Sequence, residues 1–363
     1  MNWEDKLNPE QKQAVRTIDG PLLIIAGAGS GKTRVITFRI ARMLASGIDQ
    51  KSILALTFTN KAAREMAERI REMRGEKLRG LTVSMFHAFG VQVLRGHITR
   101  LGYRENFSIY DTADQRALLK ETARELSYHL EPGEILPMLS LFSDIKTGRV
   151  PRAEVDPQTM GLYEDYQAHM KLYNAVDFDD LICLPVKILS EMPDVAATYQ
   201  QRYTHILVDE FQDTSNLQYE FMRIIGQAHG NVCVVGDDDQ SIYSWRGADY
   251  RNIESFERDF PGLVEIKLEQ NYRSTGTILE AANGLIAHNT NRKVKRLWTG
   301  TGTGKPIELF FPEDEYDEAR FISERIKELG LKENISYQQI GVLVRTNSLT
   351  RALEEGFMTQ NIP

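Results

Sequence analysis

The stretch Ala26 to Thr33 reads AGAGSGKT, a P-loop in which Ala26 stands where a glycine is usual. Gly27, Ala28, Gly29, Ser30 and Gly31 would let consecutive backbone N–H groups wrap a phosphate, with Arg34 just beyond them. Lys32 would neutralise the β and γ phosphates, and Thr33 would offer its hydroxyl to Mg²⁺. A second glycine-rich run, GTGTGKP at 300–306, puts Pro306 where Ser or Thr is needed and is followed by a strand pattern, so it reads as a flexible turn. Asp209 and Glu210 end the apolar run HILV within LVDEFQD. Adjacent strand residues face opposite sides. One carboxylate could therefore hold Mg²⁺ while its neighbour positions and deprotonates a water. ATP and Mg²⁺ are the ligands this set predicts.

A third stretch, Val234 to Ala248, joins two chemistries. Its head, Asp237, Asp238, Asp239 and Gln240, suits a metal-bound polyphosphate, with Gln240 as a γ-phosphate sensor. Its tail, Tyr243, Trp245 and Arg246, suits unpaired bases, each of which offers a π-face to a ring or guanidinium. Taken alone, such a run reads first as core aromatics above a solvated turn, with Gln240 capping that turn. Phe58 with Thr57, Thr59 and Asn60, and Phe86 with His87, follow other apolar runs and would extend a stacking platform. A lone His87 is more often structural.

The elements that must position these residues are short apolar runs ending in polar or glycine-rich residues: PLLIIA, ILAL, LTVSM, HILV and VCVV. Each reads as a buried parallel strand, and helical patterns such as 33–45 and 61–73 lie between them. The pattern predicts a doubly wound α/β sheet, whose ligands sit beyond the carboxyl ends of the strands. Between about Ser108 and Val176 helix-period stripes take over: Leu118, Leu119, Ala123 and Leu126; Leu139, Phe142 and Ile145; Tyr163, Tyr166, Met170 and Tyr173. They predict an all-helical domain inserted in the first. After a strand at 263–268 a second unit is expected, with strands at Ile307 to Phe311 and Ile340 to Val344 and helices at 277–288, 315–329 and from Ser348.

With 363 residues, 42% hydrophobic and 26% charged, the chain fits two or three globular domains and neither a disordered nor a membrane protein. Its first residues, MNWEDKLNPEQ, lack an apolar leader, so a cytoplasmic location is the default expectation. Cys183 and Cys233 lie in apolar runs and read as buried thiols. A net charge of −7 argues against binding nucleic acid by bulk charge, yet leaves room for a local basic groove. Lys61 to Gly80, seven basic against four acidic residues including Lys77, and the group Arg292, Lys293, Lys295 and Arg296 are candidates. Each alone reads first as a solvated helix face.

The blocks TFTNKAAREM (57–66), VDFDDL (176–181), GDDDQSIYSWRGA (236–248) and LEQNYRS (268–274) resemble the superfamily-one DNA helicases of the Rep, UvrD and PcrA type, with wording closest to Rep. The resemblance implies a RecA-like P-loop NTPase core with a parallel sheet: 1–108 and 179–267 as the first core domain, 109–178 as the helical insertion, and 268–363 as an incomplete second RecA-like domain. It implies that Gln11 hydrogen-bonds adenine, that Tyr272 stacks on it, and that Arg273 reaches the γ-phosphate. It assigns Phe58, Tyr243 and Trp245 to single-stranded DNA, adds Phe178, and makes Arg246 a link between the DNA and nucleotide sites. The implied activity is ATP-driven 3′ to 5′ translocation on single strands and unwinding at duplex junctions. Repair or replication proteins are the expected partners.

Family members continue with later motifs absent here, so the expectation is an N-terminal portion that does not unwind alone. A non-catalytic nucleotide-dependent binding module and a helicase-nuclease subunit are the competing readings.

Overall fold

The computed structural model describes residues 3–75, 78–290 and 292–363. Six strands, β1 (Leu22–Ala26), β2 (Ile53–Thr57), β3 (Thr82–Met85), β6 (His205–Val208), β7 (Val232–Gly236) and β8 (Val264–Leu268), form one sheet. Its order is β3-β2-β6-β7-β1-β8, and every pairing is parallel. β1 and β2 are buried throughout, as expected for strands covered on both faces. Alternate residues feed two cores. Leu23, Ile25, Leu54 and Leu56 pack with Phe89, Phe221 and Phe256, whereas Leu22, Ile24, Ile53 and Ala55 pack with Val35, Ile40 and Met66.

The helices of this unit are α1 (Pro9–Arg16), α2 (Lys32–Ala45), α3 (Asn60–Arg74), α4 (Phe86–His97), α5 (Thr112–Glu125), α6 (Ile135–Lys146), α7 (Pro157–Leu172), α8 (Asp180–Glu191), α9 (Pro193–Arg202), α10 (Asn216–Gly226), α11 (Asn252–Asp259) and α12 (Gly276–Ile286). Buried Arg39 on α2 donates to the carbonyls of Ala14, Thr17 and Ile18, which fixes α1 against the helix that follows the P-loop.

Helices α5 to α7 have a core of their own, built on Leu118, Phe142, Tyr163 and Tyr166. A short parallel pair, β4 (Ser108–Ile109) with β5 (Ala175–Val176), closes this excursion where it leaves and rejoins the chain. Two residues of the expected stripes fall outside that core: Leu126 and Tyr173 lie just past the helix ends and are exposed.

The chain divides into compact units at 1–304 and 305–363. Residues 268–304, expected in the second core domain, pack with the first unit because their polar groups bond to its strand ends and loops. Asn271 donates to the carbonyl of Ala28, and Arg292 and Lys295 pair with Asp239.

The second unit contains α13 (Glu315–Glu333) and α14 (Thr350–Thr359), with Phe310 stacked on Phe321 at 4.0 Å. The strands expected at 307–311 and 340–344 are corrected to irregular segments. A strand needs a neighbour for its N–H and C=O groups. Among the described residues neither segment has one, and Leu309, Phe311 and Leu343 are exposed. The glycine-rich run before Pro306 is irregular too.

Candidate functional site

The P-loop leaves β1 and turns into α2 through two glycines in the left-handed region, Gly29 at φ 68° and Gly31 at φ 87°. Side chains rarely adopt that backbone. Gly31 is the N-cap of α2 and supplies no side-chain cap, so the first-turn N–H groups remain available to an anion. Lys32 lies at the mouth of this turn, only 11% exposed, with its ammonium 3.3 Å from Glu210 and no hydrogen-bond partner. The buried hydroxyl of Ser30 is likewise unpartnered. Unsatisfied buried donors converging on a helix N-terminus fit a polyphosphate.

Thr33, Asp209, Glu210 and Gln240 line one cleft of about 490 Å³. Asp209 is buried, and burial, reinforced by the Glu210 charge, pushes its carboxyl up to about 7. A cation there would restore the ionised form. The hydroxyl of Thr33 and the carboxylate of Asp209 therefore fit Mg²⁺.

Glu210 departs from the expected strand geometry. β6 ends at Val208, and Glu210 sits at φ 50° and ψ 47°. That turn, rather than strand alternation, aims its carboxylate at Lys32 and at the Gln212 amide, which donates to it at 3.0 Å. Gln212 also accepts from the backbone N–H of Asp237, which ties the Asp–Glu pair to the loop after β7.

The aspartates of that loop correct a second expectation. They are not open to a metal-bound phosphate, because the ammonium of Lys295 lies 2.8, 2.7 and 2.8 Å from Asp237, Asp238 and Asp239. Arg292 adds a two-pronged bond to Asp239. Of the basic group at 292–296, Arg292 and Lys295 are thus taken up by the acid cluster, Lys293 pairs with Glu257 and Glu265, and Arg296 is exposed. The other basic stretch lies on α3, where Lys61 and Arg69 pair with Glu65; Lys77 lies outside the described residues.

At the far end of the P-loop, Gln11 is fully buried: its amide donates to the carbonyl of Ser30 at 2.8 Å and accepts from the N–H of Asn8. Tyr272 is 43% exposed, its backbone N–H bonds to the carbonyl of Gly29, and its hydroxyl donates to Gln270, which Asn8 also reaches. Arg273 is exposed beside Gly29. The structure therefore gathers Gln11, Tyr272 and Arg273 around one loop.

A larger cleft of about 970 Å³ lies next to the first and is lined by Phe58, Thr59, Asn60, His87, Phe178 and Arg246, and by Thr147 to Arg149 from the end of α6. Phe178 is exposed and faces His87 at 6.1 Å. Burial holds the His87 imidazole below its ordinary pKa, so it is neutral at pH 7. Thr59 has a structural duty as well, since its hydroxyl caps α3.

Tyr243 stacks on Phe58, with centroids 5.2 Å apart, and both rings line the cleft of Thr33 and Asp209. Arg246 covers Tyr243 and Trp245 at 5.1 and 4.6 Å, and Trp245 is 70% exposed. The core reading of Trp245 fails on that exposure. Arg246 lines the larger cleft, and Tyr243, which it covers, lines the smaller one.

Phe86 is the site residue the structure removes. It is 2% exposed and belongs to the core, because it opens α4 with its ring turned beneath the sheet. Cys233 is buried, whereas Cys183 is half-buried on the larger cleft.

Several residues were missed by sequence reasoning. Asp213 borders both clefts, with one carboxylate oxygen buried and unpartnered. Lys146 on α6 reaches Asp177 and Asp180 at 2.7 and 3.0 Å in a buried triad beneath Phe178. The VDFDDL wording could have flagged the two aspartates, but nothing local points to their lysine.

A P-loop facing an Asp–Glu pair at the carboxyl ends of a parallel sheet defines a P-loop nucleotide-binding α/β protein, here with a ring-lined cleft alongside. The model of the UvrD/REP helicase N-terminal domain matches residues 7–261, and that of the UvrD-like helicase C-terminal domain matches 266–363. The chain belongs to the UvrD/REP helicase family.

It is 44% identical to the ATP-dependent DNA helicase UvrD1 of Mycobacterium tuberculosis over 99% of this chain and 49% of that protein. Identity to the ATP-dependent DNA helicase PcrA is 43% for Leuconostoc citreum (98% of this chain, 49% of the relative) and 42% for Staphylococcus aureus (98% and 50%). The chain thus spans about half the length of these curated relatives. Among the described residues no helix is long and apolar enough to cross a membrane.

Proposed function

We propose that the chain carries the nucleotide site and one wall of the DNA track of an ATP-dependent 3′ to 5′ single-strand translocase and helicase. The observation that carries this reading is the stack of Tyr243 on Phe58, which puts base-stacking rings and phosphate-binding groups on one wall.

In this reading the N–H groups of the P-loop and Lys32 hold the β and γ phosphates, while Thr33 and Asp209 hold Mg²⁺, which neutralises phosphate charge. Glu210 orients the attacking water and takes its proton. The nitrogen of the Gln240 amide donates to Asp237 at 2.5 Å, which leaves the amide oxygen to face the cleft and accept from that water. Gln11 and Tyr272 hold the adenine, and Arg273 meets the γ-phosphate charge.

Single-stranded DNA lies over Phe58, Thr59, Asn60, His87, Phe178, Trp245 and Arg246, where base stacking contributes about 1–3 kcal/mol per base. Changes at the γ-phosphate reach this track through Gln240 and Tyr243.

ATP hydrolysis measured with and without single-stranded DNA tests the coupling, and duplexes with 3′ or 5′ tails test the polarity. Stimulation by DNA, lost in Lys32→Ala while DNA binding persists, is the expected result. Nucleotide and DNA binding without any turnover would favour a binding module instead.

A further inference from the structure

The Lys295 ammonium is almost fully enclosed, with its side chain 2% exposed. Carboxylate atoms of Asp237, Asp238 and Asp239 all lie within 4.8 Å of one another, an arrangement that repels itself unless a cation sits among them. The cation is supplied by the chain. Lys295 is 2.7 to 2.8 Å from all three. Arg292 grips Asp239, and the backbone N–H of Lys293 donates to Asp238.

The consequences run toward the reaction. One oxygen of Asp237 faces Lys295, and the other accepts from the Gln240 amide. The N–H of Asp237 bonds to Gln212, whose amide holds Glu210. Leu297, two residues past Lys295, packs on Gly27 so closely that a Cβ there would lie 2.1 Å from its Cδ2. The strap 292–297 therefore touches the sensor loop at one end and the P-loop at the other.

We propose that Lys295 is a positioning residue for hydrolysis: its ammonium stands where a metal ion could among Asp237, Asp238 and Asp239, and so fixes the Gln240 amide through Asp237. The proposal rests on the nucleotide-hydrolysing reading above. Lys295, enclosed by the three aspartates, acts on the Gln240 amide through Asp237. Its role is to keep the Gln240 amide oxygen turned to the cleft, which affects the chemical step more than nucleotide binding.

The test compares wild type, Lys295→Met and Lys295→Arg in two measurements. In steady-state ATP hydrolysis, Lys295→Met is expected to lower kcat roughly tenfold or more with KM for ATP within about threefold, and Lys295→Arg to recover most of the loss. In nucleotide-free terbium titration read by sensitised luminescence, Lys295→Met is expected to gain one site over wild type, because three bare carboxylates suit a hard cation. Lys295→Arg should gain none.

Unchanged kcat in Lys295→Met, or a kcat and KM that collapse together in both variants, overturns the proposal. So does an unchanged terbium stoichiometry. Should Lys295→Met fail to fold, Asp237→Asn keeps the ammonium and must lower kcat in the same way; wild-type turnover there overturns the proposal. A wild-type protein without ATP hydrolysis defeats the reading of the site instead, and the terbium comparison still decides what Lys295 does among the aspartates.

Discussion

Glu210 and Asp213 show how much depends on single side chains where β6 gives way to loop. Holding a glutamate at φ 50° costs about 1–2 kcal/mol, and that turn is what brings its carboxylate to Lys32. Asp213, three residues on, is pushed up to about 6 by burial and then by the Glu210 charge. Its unfolded carboxyl releases a proton near 3.8, so the folded chain holds the extra proton between about pH 4 and 6. Stability from this group therefore falls as pH rises through that window and levels off above it. Asp213→Asn is expected to raise the thermal midpoint at pH 7.5 by about 2 °C or more and to change little near pH 3.5. An equal shift at both pH values would show that charge burial is not the cause. Trp245→Ala is expected to weaken single-strand binding by about 1–3 kcal/mol with an unchanged melting midpoint, since the ring is mostly exposed. Fluorescence-anisotropy titration against a thermal melt separates the two effects.

Among the elements, the junction between α6 and α8 joins the helical excursion to the larger cleft. The backbone N–H of Asp177 and of Asp180 each donates to the other's carboxylate at 3.0 Å, and Lys146 from α6 bridges both. Phe178 is held between them. Lys146→Met would leave two buried carboxylates face to face, at a cost of about 3–5 kcal/mol, and would loosen Phe178. Denaturant unfolding should show the loss and a single-strand titration the weakened binding; an unmoved unfolding midpoint would count against the triad.

This junction also marks where sequence reading stops. The P-loop was legible because its chemistry is local: glycines, Lys32 and Thr33 are neighbours in the chain as in space. The central strands β1, β2 and β7 were legible because each is a nearly unbroken apolar run, whereas β3 and β8 carry polar residues. Phe86 was misread because a residue just past a strand can turn to solvent or back under the sheet, and only the start of α4 decides. Lys146 and Lys295 pair across 31 and 57 residues with Asp177 and Asp238, a separation at which charge patterning carries no signal. The strand patterns at 307–311 and 340–344 showed apolar spacing without showing what would pair with it.

For the whole molecule, two boundaries disagree in an informative way. The two family models meet between 261 and 266, whereas the compact unit runs to 304. The intervening chain supplies Asn271 to the P-loop, Lys295 to the aspartates, and β8, whose backbone pairs with β1. A gene shortened at the homology boundary, ending at residue 262, is therefore expected to yield protein that aggregates on purification. One ending at 304 should stay monodisperse by light scattering and melt cooperatively. Equal behaviour of the two products would show that the strap adds nothing to folding.

The continuation past 268 also bears on how changes act along the chain. Because residues 292–297 complete an acid cluster and a loop encoded far upstream, a change in either segment is felt by the other. A break at the family boundary would part Asp237 to Asp239 from the lysine that neutralises them.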